Sequence, residues 1–68
     1  MYPANTLEEW YQKNISYRPL VSFTSWGVTK QVPNITQEDA EKFFNQFVDK
    51  GELTVKYEDN EIRYYVIR

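Results

Sequence analysis

The tightest constraint in this sequence lies in residues 53–66, where a turn signal and an alternating pattern agree on one register. Asp59-Asn60 suits the left-handed conformations of a two-residue type I′ turn. Such a turn sets Tyr57 opposite Ile62, Val55 opposite Tyr64 and Leu53 opposite Val66, with all six side chains on one face of the ribbon. A slip of one residue would send the whole set to the other face, so the pattern specifies the register. The opposite face carries Glu52, Thr54, Lys56, Arg63, Tyr65 and Ile67.

The stretch before this hairpin predicts a helix over 37–50. Thr36 is its cap, and Asp39 stands where a carboxylate can answer the cap in a capping box. Ile35 can staple onto Ala40. Ala40, Phe43, Phe44, Phe47 and Val48 form one apolar stripe. Gly51 is the natural residue to stop the helix in a left-handed conformation, and Lys50 suits the negative end of its dipole.

A first helix is expected over 6–14. Thr6 and Glu9 make a second capping-box pattern, Leu7, Trp10 and Tyr11 share a face, and Glu9 and Lys13 are spaced to pair. Pro19 disfavours helix at Arg18. Two readings of residues 20–32 stay open: a short strand near 20–23 followed by a helix over about 24–32, or one longer strand. The β-branched and aromatic content of LVSFTSWGVT favours strand, whereas Ser22, Thr24 or Ser25 can cap a helix and Val28 and Val32 have helical spacing. Pro33-Asn34 is a turn in both.

At 68 residues there is room for a single domain, 1–68. A chain this small buries only about 60% of its unfolded surface, so its core must be well packed. No cysteine or histidine is present to staple it through disulfides or metal. Two Trp, six Tyr and four Phe supply the area instead. Trp10, Tyr11, Phe23, Trp26, Phe43, Phe44, Phe47, Tyr57 and Tyr64 are the expected aromatic core, with Tyr2 and Tyr17 outside regular elements.

The same composition excludes most catalytic chemistry. The commonest general base and the thiol nucleophile are missing, and no serine sits in a G-x-S-x-G elbow. Carboxylates cluster at Glu8/Glu9, Glu38/Asp39/Glu41 and Glu58/Asp59/Glu61. They could do acid–base work or hold a cation. Helix-dipole stabilisation and a solvated turn explain them better, because the first two groups fall in first turns. No cofactor or metal is expected. Eight Lys and Arg against ten Asp and Glu give a net charge of −2, which argues against strong non-specific binding to nucleic acid or anionic membranes. No apolar run could span a bilayer, and residues 1–10 lack the pattern of a signal peptide. A cytoplasmic location is therefore expected. The sequons at Asn14 and Asn34 are read as chance.

The stretch TQEDAEKFFNQFVDKGEL followed by NEIRYYVIR resembles the last helix, closing glycine and second wing strand of winged helix-turn-helix domains. The resemblance implies an α+β fold, a small winged-helix-like domain with two or three helices and a C-terminal β-hairpin. It also implies major-groove reading by the last helix and backbone contact by the wing. On that reading Gln37 and Asn45 can face adenine edges, with Lys30, Lys42 and Lys56 as the basic support. Glu38, Glu41, Asp49 and the Glu58-Asp59-Asn60-Glu61 wing tip depart from it, because they would meet phosphates with like charge. Winged-helix domains also serve as protein–protein modules, a use that needs no basic face. The expected function is therefore a non-enzymatic interaction module, regulator or inhibitor acting on a protein partner, as monomer or homodimer. A DNA-binding transcriptional regulator is the alternative. Tyr65, Arg63, Ile67 and Thr54 are the expected protein-binding residues, because Tyr and Arg are enriched in interface hot spots.

Overall fold

The computed structural model describes residues 2–17 and 20–67. Among them the chain forms α1 (Leu7–Tyr11), a π-helical turn (Gln12–Ser16), β1 (Ser22–Thr24), α2 (Ser25–Thr29), α3 (Gln37–Asp49), β2 (Leu53–Glu58) and β3 (Glu61–Val66). The strands make an antiparallel sheet in the order β1-β3-β2. The helices cover the sheet face that carries Phe23, Tyr64 and Leu53. This α+β arrangement is compatible with a winged-helix-like domain.

The hairpin has the expected register at every pair: Leu53 faces Val66, Val55 faces Tyr64 and Tyr57 faces Ile62. Asp59 and Asn60 take φ of 52° and 63°, as the type I′ turn requires. Replacing Asn60 by Gly should leave stability unchanged or raise it by up to about 1 kcal/mol, since glycine adopts this conformation without a Cβ penalty. A clear fall in melting temperature would mean that the Asn60 side chain contributes to the turn.

Helix α3 starts with a complete capping box. The Asp39 N–H donates to Thr36 Oγ1 (3.1 Å), and the Thr36 N–H donates to Asp39 Oδ2 (3.1 Å). It stops at Lys50, with Gly51 at φ 80°. The first helix differs from its sequence pattern. Thr6 caps it, but Glu9 reaches back one residue further and accepts from the Asn5 N–H (2.9 Å). Beyond Tyr11 the helix widens, and the Tyr17 N–H bonds to the Gln12 carbonyl five residues back (3.1 Å). The wider turn brings residues four and five apart onto one stripe, so Trp10, Tyr11, Asn14 and Ile15 are all buried. The Glu9–Lys13 pair forms at 3.1 Å.

Of the two readings of residues 20–32, the strand followed by a helix is realised, with the strand at Ser22–Thr24 and the helix ending at Thr29. Thr24 Oγ1 accepts from the Gly27 N–H (3.0 Å) and caps α2. The Thr29 hydroxyl donates to the Trp26 carbonyl (2.6 Å), and Lys30 and Gln31 bond three residues back, which closes the helix early. Val28 and Val32 are buried nonetheless. The break expected at Arg18-Pro19 lies outside the described residues.

Trp10 and Phe44 meet edge-on at 5.5 Å between ring centroids, and Phe23 lies 5.0 Å from Trp10 and 5.5 Å from Tyr64. Such ring pairs add about 0.5–1.5 kcal/mol each beyond their buried area. They offset the Trp10 indole N–H, which is buried with no hydrogen-bond partner among the described residues, a cost of about 1–3 kcal/mol. Phe43 and Phe47 are partly buried around Tyr11. Two expected core residues are on the surface: Trp26 is 53% exposed and Tyr57 is 80% exposed. Tyr57 sits on the inner face of a ribbon that extends past the core, so only Leu53 of β2 is buried. Trp26 follows Ser25 and precedes Val28, both buried, and so points away from the core.

Candidate functional site

The sequence-expected protein-binding residues come together on the outer face of the sheet. Ser22, Tyr65 and Thr54 form one cross-strand row, and Thr24, Arg63 and Lys56 the next. Ile67 lies just past β3 and is half exposed. The polar groups here are engaged with one another. The Tyr65 hydroxyl donates to Glu58 Oε1 (2.8 Å), Arg63 Nη1 donates to Ser22 Oγ (3.2 Å), and the Lys56 ammonium lies 5.2 Å from the Tyr65 ring centroid. The bond to Glu58 raises the Tyr65 hydroxyl above its ordinary pKa, with partial burial adding to it.

Three of the exposed apolar side chains, Trp26, Val55 and Tyr57, gather elsewhere, where α3 and the hairpin converge. A cleft of about 270 Å³ lies between the start of α2, the start of α3 and the hairpin turn, with Trp26, Gln37, Asn60, Glu61 and Ile62 in its wall. Ile62 faces Tyr57 across the ribbon, and Val55 and Tyr64 follow on the same face. Trp26, Ile62, Tyr57 and Val55 therefore make a strip running out along the overhanging ribbon. Behind the cleft, the buried Ser25 joins α2 to α3: its hydroxyl donates to Glu41 Oε2 (3.4 Å) and accepts from Gln37 Nε2 (3.2 Å). The Tyr64 hydroxyl donates to Asn45 Oδ1 (3.3 Å) and ties β3 to α3.

The residues of the nucleic-acid reading do not form one surface. Gln37 and Asn45 lie on the side of α3 that meets Ser25 and Tyr64. Lys42 pairs with Glu38 at 3.4 Å. Lys30 rests over the Trp26 ring, 4.3 Å from its centroid. Lys56 and Arg63 share the outer face of the sheet, turned away from α3. The cations are split between two sides of the molecule.

Burial pushes the Tyr64 hydroxyl up to about 12, and the negative charges at Glu41 and Tyr57 add to it. The unfolded hydroxyl ionises near 10, so the folded state holds its proton more tightly. This contribution to stability is complete below pH 10 and is lost as the pH rises towards 12. Tyr64→Phe should remove that alkaline loss, at a cost near neutrality of about 0.5–1.5 kcal/mol for the bond to Asn45. Urea midpoints across pH 8 to 12 measure both effects, and an equally steep alkaline loss in the variant would assign it to another group.

Trp26 and the cleft escaped the sequence reading. The available signal was the spacing of Val28 and Val32, which leaves Trp26 off the buried stripe. Asn14 was also missed as a structural residue. It is buried, accepts from the Tyr2 N–H (2.6 Å) and donates to the carbonyls of Tyr2 (2.9 Å) and Trp10 (3.0 Å). This leaves no room for a glycan at the first sequon. Among the described residues no helix is long and apolar enough to cross a membrane. No protein-family model, curated protein or solved structure matches this chain.

Proposed function

We propose that the chain is a winged-helix-type module that binds another protein through the face shared by α3 and the hairpin, without catalytic chemistry of its own. The observation that carries this reading is the exposure of Trp26, Tyr57 and Val55 in one strip that starts at the cleft lined by Glu61. Aromatic anchors rimmed by polar groups suit a protein interface, whereas carboxylates at the helix start and hairpin tip oppose phosphate. The outer sheet face with Tyr65, Arg63, Ile67 and Thr54 is the second candidate surface. DNA binding through Gln37 and Asn45 is the alternative, and it would have to compete with their hydrogen bonds to Ser25 and Tyr64.

Anisotropy of a labelled random duplex at about 50 mM and about 150 mM salt separates the two functions. No appreciable binding is expected at either. Micromolar affinity with a steep salt dependence would sink the protein-binding reading. A photo-crosslinking residue placed at Tyr57 or at Tyr65 then distinguishes the surfaces. A partner crosslinked from Tyr57, and lost on Val55→Glu, supports the α3–hairpin face. Crosslinks from Tyr65 alone, weakened by Arg63→Glu, would move the interface to the outer sheet.

A further inference from the structure

We propose that the cleft beside Trp26 receives an arginine side chain of the protein partner, with its guanidinium stacked on the indole and paired with Glu61. The assignment rests on the protein-binding reading and names what that surface recognises. At about 270 Å³ the cleft falls below the roughly 300–1,000 Å³ of small-molecule sites and suits one inserted side chain. Glu61, Gln37, Asn60 and the half-exposed Trp26 are among the residues that line it, with no Lys or Arg among them. A second carboxylate, Glu41, stands behind it on Ser25.

The protein already places a cation on this ring. Lys30 has no carboxylate partner among the described residues, and its ammonium lies 4.3 Å from the Trp26 centroid. An anion would meet Glu61. It would also find the start of α3 already served by the Thr36–Asp39 capping box and by Glu38. Arginine fits better than lysine because a planar guanidinium stacks on an aromatic face while its fork of N–H donors engages a carboxylate. Lys30 is then an internal competitor for the indole.

The test is a ¹H–¹⁵N titration with the tripeptide acetyl-Gly-Arg-Gly-amide, with citrulline in place of arginine as the neutral control. Saturable shifts are expected at the Trp26 indole, the Gln37 side-chain amide and the Glu61 amide, and none with citrulline. Trp26→Ala and Glu61→Gln should each weaken binding about two- to fivefold. Lys30→Ala should strengthen it. Equal shifts with citrulline, shifts spread evenly over the acidic surface, or weaker binding in Lys30→Ala would overturn the assignment. If the arginine peptide leaves the cleft untouched while a crosslinker at Tyr57 still captures a partner, the arginine site falls and the protein-binding reading stands.

Discussion

Phe44→Ala is expected to bring the protein to the edge of unfolding at room temperature. Phe44 is fully buried at the centre of the core, with Trp10, Phe23 and Tyr64 rings within 5.5 Å between centroids. Truncating such a ring costs about 3–5 kcal/mol in transfer and cavity terms. Whole domains have only about 5–15 kcal/mol, and one of this size stands near the lower end. The neighbouring rings cannot easily collapse into the gap, because each is already held by another ring. Phe47 is only partly buried, so Phe47→Ala should cost less. Thermal and urea unfolding of the two variants gives the comparison. A Phe44→Ala protein melting within a few degrees of the parent would mean that the α3 stripe is not the core.

Asn14→Ala should be the next most damaging change, at about 2–4 kcal/mol. Asn14 makes three hydrogen bonds, each worth about 0.5–1.5 kcal/mol. It also fixes the segment before α1, whose Ala4 is buried and donates its N–H to the Gln31 carbonyl (3.0 Å). Loss of amide protection at Tyr2 and Ala4 should therefore accompany the fall in melting temperature. Unchanged protection there would show that the segment is held by Ala4 alone.

The elements easiest to read from the sequence were those specified locally. Thr36, Asp39 and Gly51 set the ends of α3, and Asp59-Asn60 together with the alternation set the hairpin register. The π-helical turn was not legible, because 6–14 has an ordinary helical pattern and the widening serves the packing of Asn14 and Ile15 against other parts of the chain. Residues 20–32 stayed ambiguous for a related reason. Ser22–Thr24 become a strand by pairing with Arg63–Tyr65, some forty residues away, and no local signal encodes that partner. The candidate cleft was the least legible feature. Period-2 alternation identifies which side chains share a face but not how far the core extends beneath it. Tyr57 and Trp26 were therefore assigned to an interior that stops short of them.

The two tryptophans give this protein a pair of optical probes. Trp10 is sealed in the core, and Trp26 stands open beside the cleft. A neutral quencher added to the folded protein should reach Trp26 and spare Trp10, dividing the emission into an accessible and a protected part. Denaturation would merge the two, whereas a partner seated on the α3–hairpin face would shrink the accessible part and leave the protected part unchanged. Folding and docking can thus be followed separately in unlabelled protein, with Trp26→Phe and Trp10→Phe assigning each component.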